Sequence, residues 1–299
     1  MSMLFRVLKD VALSVFARRE SESVRPVAGG AQQQFDTAVA CYKRGESRRA
    51  LEYCELTLRM DPDFAEACDL KAQIILGGER YTQVMARIFE QLRPRTYVEV
   101  GVAQGGTLKL ATPPTIAIGI DPEPLLASPP PPNHRIYAET SDVFFASHDL
   151  RAELGGLPVD LAFIDGMHHF EFALRDFMNL ERTCTAQSTI LIHDCYPLNR
   201  ASADRDRRGR FWSGDIWRLI VLLGKYRPDL SVHTIGAPPT GLGVVRGLDP
   251  ASRVLQENYG RLCREFLALD YSCLDQDKEK KLNLFPNDPA KIRTLLGAG

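Results

Sequence analysis

The feature that most constrains the fold of this chain is an alternation that runs from residue 97 to residue 192. Short runs rich in β-branched residues, at 97–100, 116–120, 135–137, 159–164 and 189–192, are separated by stretches with helical spacing. Apolar strands joined by crossover helices build a parallel sheet covered on both faces. Two further runs, 232–235 and 241–245, flank Gly-Ala-Pro-Pro-Thr, which reads as a hairpin. The expected fold is therefore α/β, a mostly parallel, doubly wound sheet that closes with an antiparallel hairpin.

Open sheets of this kind bind ligands at the carboxyl ends of their strands, and chemically distinctive residues follow several of these runs. The first run, Tyr97-Val-Glu99-Val-Gly101, leads into Val-Ala-Gln-Gly105-Gly106-Thr107. Glycine after a strand permits a tight turn and a close ligand, and a helix beginning there would aim its free N–H groups at that ligand. The second run ends in Asp121-Pro122, about 20 residues beyond Gly101, the interval expected between a glycine turn and an acid that binds ribose hydroxyls. Asp-Pro also starts helices, so a capping role stays open. The fourth run delivers Asp165-Gly166-Met-His168-His169-Phe170-Glu171, with Asp176 beyond it, and the fifth delivers His193-Asp194-Cys195. A helix N-cap would account for Asp165 alone, but not for a second His-Asp pair ending the next strand.

The spacing GxxxGG after an acidic residue resembles the first motif of class I S-adenosylmethionine-dependent methyltransferases, and differs from the GxGxxG of dinucleotide-binding turns. The fourth and fifth runs resemble a subgroup of that family that reads FIDGxHxYE and then a hydrophobic residue with His-Asp; Phe170 stands where tyrosine is usual. The resemblance covers residues 97–245 and implies a Rossmann-like sheet with S-adenosylmethionine as cofactor. It implies that Gly101, Gly105 and Gly106 admit the methionine part, with Glu99 beneath it. It also implies that Asp121 holds the ribose, that Ser141 and Asp142 lie by the adenine, and that Asp165 faces the cofactor. The activity implied is methyl transfer to a small-molecule acceptor, with O-methylation expected.

Methyl transfer needs an acceptor that is deprotonated and held in line, and positioning supplies much of the rate. His193 or His168 could take a hydroxyl proton as general base. Alternatively, Asp165 and Asp194 could hold Mg²⁺ or another divalent cation that lowers the acceptor's pKa. Catechol-type O-methyltransferases, which share this fold, place a metal between acids at these two strand ends; Cys195 stands where they usually carry asparagine. Beyond the fifth strand, Arg200, Arg205, Arg207, Arg208 and Arg210 are interleaved with acids before Phe211-Trp212. They suggest an anionic or sugar-type acceptor or a solvated lid. Asp215 is expected to cap the helix that contains Trp217, itself expected in the core.

The flanks are read more coarsely. Residues 1–20 have the spacing of an amphipathic helix that docks on the protein or touches a membrane surface, and 21–34 reads as a linker. Residues 35–78 are helical and resemble a tetratricopeptide repeat through Ala38, Gly45, Ala50 and Pro62, with Gln34 and Thr37 departing from that pattern. One and a half repeats fit, fewer than the about three a solenoid needs, so the region is either a protein-partner site or a helical cap on a catalytic domain at 81–248. Residues 249–299 read as a helical extension. The net charge of −1 offers no overall basic field for nucleic acid. Seven scattered cysteines without a CxxC pair suggest reduced thiols and a cytoplasmic setting. Two rival functions remain: an NAD-linked oxidoreductase on a similar sheet, and a non-catalytic interaction protein whose Rossmann-like domain is a relic.

Overall fold

A computed structural model describes residues 29–297, so the amphipathic segment read at 1–20 lies outside the described residues. The chain divides between Asp61 and Pro62 into two compact units. In the first, helices α1 (Ala31–Lys43) and α2 (Ser47–Met60) pack on each other across a turn through Gly45. Residues 31–34, read as linker, are the first turn of α1: Ala-Gln-Gln-Gln are good helix formers, and Gln34 is buried.

The second unit opens with α3 (Ala65–Leu76), which starts three residues after Pro62, and α4 (Tyr81–Leu92). Helix α4 presents Val84, Met85, Ile88 and Phe89 on one buried face, the i, i+1, i+4, i+5 stripe of a helix lying on a sheet. Strand β1 (Thr96–Val100) then enters the centre of an eight-stranded sheet with β2 (Ile116–Ile120), β3 (His134–Tyr137), β4 (Val159–Ile164), β5 (Cys184–His193), β6 (Ser231–Ile235), β7 (Leu242–Arg246) and β8 (Leu284–Phe285). The order is β3-β2-β1-β4-β5-β7-β6-β8. Strands β1 to β5 are parallel, and β7 runs antiparallel to both β5 and β6. The expected sheet and its closing hairpin are thus present.

Because strand side chains alternate faces, each strand feeds two cores. Val98, Val100, Ile118, Ile120, Ile164 and Ile192 meet helices α7 (Phe170–Glu181), α8 (Trp217–Tyr226) and α9 (Val254–Leu267) on one face. Tyr97, Ala117, Phe163, Leu191 and Val244 meet α4 and the terminal helix (Pro289–Leu296) on the other. Leu255, Leu262 and Phe266 of α9 lie in the first core, so much of the segment after residue 249 is built into the sheet unit. The two-residue β8 pairs in parallel with β6, a strand too short to show any periodicity in the sequence.

Strand order reverses between β1 and β4, the position at which an α/β sheet opens a crevice beyond its strand ends. Val100 is in register with Ile120 and Ile164, and Ile164 with Ile192. The residues that follow those positions, Gly101, Asp121, Asp165 and His193, therefore emerge at one level along one edge.

Candidate active site

A cavity of about 740 Å³ lies at this edge. Gly101, Gly106, Asp121, Ser141, Asp142, Asp165 and His168 line it. Glu99, Gly105, His193 and Asp194 do not; the first is buried in the sheet below, and the last two stand behind Asp165.

Gly101 has φ +87, and a Cβ there would lie 2.1 Å from the Asp165 carbonyl oxygen. The glycine is thus required by the strand exit of β4, which crosses directly over it. No α-helix follows the turn. Residues 107–115 hold only a short 3₁₀ turn, Leu108–Leu110, and Pro113 and Pro114 bar any helix from continuing past them. The expectation of a helix N-terminus aimed at the ligand is therefore corrected. Instead the Val102 and Ala103 amides both donate to Asp121 Oδ2 at 2.8 Å, and the Glu123 amide donates to Oδ1 at 2.8 Å. Asp121 caps the glycine turn itself and leaves one Oδ1 lone pair directed elsewhere.

Beneath the turn, Glu99 is fully buried. Tyr97 Oη lies 2.5 Å and Thr107 Oγ1 2.8 Å from its carboxyl oxygens. Burial pushes its pKa up to about 8, against the opposing pull of those two hydroxyls. Across the cavity, Thr140 Oγ1 accepts from the Val143 amide at the start of helix α5 (Ser141–Ser147). The Asp142 carboxylate is turned toward Arg175, which donates to it at 2.6 and 2.7 Å. Asp176 from α7 lines the same wall, nearly fully buried, with Oδ1 lacking a partner; burial raises its pKa to about 7.

The far end holds a cluster of acids and imidazoles. His168 Nδ1 lies 2.7 Å from Asp194 Oδ2, and His168 Nε2 lies 3.5 Å from Asp165 Oδ1. His193 Nδ1 is 3.1 Å from Asp165 Oδ1 and 3.4 Å from Asp194 Oδ2. Burial opposes charge on both histidines, yet the neighbouring carboxylates outweigh it and raise both imidazoles above their ordinary pKa, His193 by much the more. The same pairing lowers Asp194, against its own burial. His168 and Asp194 both have left-handed backbones, φ +57 and +62, a conformation costly for residues with a Cβ. Such strain persists where surrounding structure over-determines it, and it gathers at functional sites.

The sequence missed several wall residues. Tyr81 from α4 lines the cavity, and its ring sits 4.2 Å from that of His193. Leu125, Met167 and Phe172 add apolar wall. Only Met167 stands inside a recognised motif; no local pattern marks the others. The arginines after β5 are largely spent on the protein's own acids. Arg200 meets Asp270 at 2.6 Å, Arg208 meets Asp204 at 3.1 Å, and Arg205 meets Glu171 at 2.6 Å and Asp215 at 2.7 Å. Asp215, expected to cap α8, accepts the Phe170 amide at 2.7 Å through Oδ1 and so caps α7. Trp217 is buried in the core as expected.

Residues 117–195 match the family model described as "Methyltransferase domain". No curated protein matches the chain. Among solved structures, cofactor-bound Rv0187 from MTB is 13% identical, over 63% of this chain and 91% of that one, with a TM-score of 0.41. The O-methyltransferase from Bacillus cereus in complex with SAH is 12% identical, over 56% and 80%, at 0.40. The O-methyltransferase TomG from Streptomyces achromogenes, involved in tomaymycin synthesis and in complex with SAM, is 13% identical, over 83% and 100%, at 0.44.

Proposed function

Proceeding from the match to a methyltransferase domain, we propose that this chain transfers the methyl group of S-adenosylmethionine to an oxygen of a small-molecule acceptor. The observation that carries the reading is the charge of the cavity wall. Asp121 and Asp165 line it, with Asp142 paired to Arg175 and Asp176 raised to about 7 by burial, and there is no lysine or arginine among the described lining residues. Such a wall attracts a cationic sulfonium and repels a pyrophosphate. The turn amides at Val102 and Ala103 are also already occupied by Asp121, so they cannot cradle phosphate as a dinucleotide-binding turn does. Both facts favour adenosylmethionine over NAD. In this reading Asp121 receives a ribose hydroxyl on its remaining lone pair. Ser141 and Asp176 border the adenine, while Asp142 acts through its ion pair with Arg175.

The cluster at the far end suits a divalent cation. Asp165, His168 and Asp194 each offer a ligand atom, all within 4.8 Å of one another. His168 Nδ1 and Asp194 Oδ2 lie buried 2.7 Å apart. Two carboxylates and one imidazole suit Mn²⁺ or a later first-row divalent ion, whereas Mg²⁺ would be held by the carboxylates alone. When bound, the ion would supply Lewis acidity that lowers the acceptor's pKa. His193, 3.1 Å from Asp165 and 3.4 Å from Asp194, orients both carboxylates. Tyr81 closes the site over His193 and keeps water from that side.

The reading is tested by calorimetric titration of adenosylmethionine, adenosylhomocysteine and NAD into the protein and its Gly106→Arg variant. Gly106 lines the cavity, and a Cβ there meets open space, so the arginine fills the site without disturbing the turn. Binding of both adenosyl ligands, lost in the variant at unchanged melting temperature, is the expected result. Binding of NAD alone, or of none of the three, overturns the reading.

A further inference from the structure

Resting on that reading, we propose that Trp212 is the positioning residue for His168, so that the arginine-rich segment after β5 sets the geometry of the cation-holding cluster. The indole and the imidazole are offset-stacked, ring centroids 5.2 Å apart and planes within 9°. His168 has the left-handed backbone noted above, and Trp212, Gly214 and Asp215, 44 to 47 residues further along the chain, pack against it. Trp212 is itself fixed, for its Nε1–H donates to the Asp204 carbonyl at 2.6 Å. The next residues grip the His168 backbone directly. The Asp215 amide donates to the His168 carbonyl at 3.2 Å, and Gly214, at φ +59, passes so close that a Cβ would stand 1.9 Å from that same oxygen.

The stack restrains the ring in addition to its carboxylate partners. Nδ1 faces Asp194 and Nε2 faces Asp165, so both ring nitrogens are committed to the cluster. A metal-binding histidine usually has its orientation fixed by a hydrogen bond from its other nitrogen. The indole against the ring adds a restraint on its torsion from outside the cluster. Arg205 locks the segment down, through Glu171 on α7 and through Asp215. The arginines that the sequence offers for an anionic acceptor serve, at Arg205, to hold this support in place.

The test compares Trp212→Ala and Trp212→Phe with the wild-type chain in two measurements: Mn²⁺ affinity by calorimetry, and amide hydrogen exchange over residues 165–170. Loss of an outer support for a metal ligand costs about 10–100-fold in affinity, so Trp212→Ala is expected to weaken Mn²⁺ at least tenfold. Exchange at 165–170 should rise while the β1 and β4 amides stay protected. Trp212→Phe keeps an aromatic face and should recover most of both, whereas adenosylhomocysteine affinity should be the same in all three. If the wild type binds no Mn²⁺, the cation reading fails. The positioning role then stands or falls on exchange alone: faster exchange in Trp212→Ala, restored in Trp212→Phe, upholds it. Wild-type exchange in Trp212→Ala, or an equal loss in both variants, overturns it.

Discussion

Replacing Glu99 by glutamine should make the protein more stable in mild alkali, by an amount the structure fixes within limits. The carboxyl is fully buried under the glycine turn, and its pKa rises from 4.5 to about 8 on folding. An acid whose folded pKa is raised binds its proton more tightly when folded. Between pH 4.5 and 8 the unfolded chain has released that proton and the folded chain has kept it. Stability therefore falls as pH rises through this window, by at most ~1.4 kcal/mol per pH unit. Glutamine has the shape of the neutral acid, can still partner Tyr97 Oη and Thr107 Oγ1, and does not ionise. Urea unfolding at pH 6, 7 and 8 should show Glu99→Gln gaining roughly 2–3 kcal/mol on the wild type from pH 6 to 8, on the same linkage slope. Groups that titrate identically in both proteins cancel in the difference. Two stability curves that stay parallel across this range would refute the argument, for they would mean that Glu99 is ionised in the folded protein.

Two further substitutions test the frame around the site. Gly101→Ala places a Cβ against the Asp165 carbonyl at a left-handed position; about 1–2 kcal/mol of backbone cost and 1–3 kcal/mol of overpacking should appear in urea unfolding, and a loss below about 1 kcal/mol would show that β4 can yield there. Arg227 is 1% exposed and donates to Glu181 at 2.8 and 2.9 Å, so Arg227→Met should cost about 3–5 kcal/mol by stranding a buried carboxylate. The double variant Arg227→Met with Glu181→Leu should recover much of that, and no recovery would mean that the pair itself, and not the stranded charge, carries the stability.

How far the sequence reveals this site depends on the range of the interactions involved. Gly101, Asp121, Asp165 and Asp194 are legible because each ends a strand, and a strand end is marked locally by an apolar run that stops. The parallel register then brings the four together without further information. Asp215 is misread because its partner, the Phe170 amide, lies 45 residues away, while the helix it precedes is adjacent. After Gly106 the chain forms only a 3₁₀ turn, and Pro113 and Pro114 keep any helix there short. Tyr81 carries no signal, since it stands on an ordinary amphipathic helix and becomes a wall residue only through the packing of α4 on β4 and β5. The arginine run shows the same limit. Its charge is visible in the sequence, but its pairing with Glu171, Asp204, Asp215 and Asp270 is a property of the folded chain.

The distribution of charge bears on turnover as well as on binding. In the proposed reaction the cofactor arrives as a sulfonium cation and leaves as a neutral thioether. An acidic wall thus holds the substrate form more tightly than the product form, which favours exchange after transfer. Carboxylates close to the sulfur would also stabilise the ground state more than the transition state, where the positive charge is dispersing, and would slow the step. The structure limits that cost. Burial keeps Glu99 largely protonated near neutral pH and leaves Asp176, raised to about 7, only partly ionised, and Arg175 neutralises Asp142. Of the acids around the cavity, Asp121 and Asp165 are left to act, the first occupied by the turn amides and the second by His193. The wall is therefore acidic enough to select a cation, while few of its carboxylates are free to bind that cation tightly.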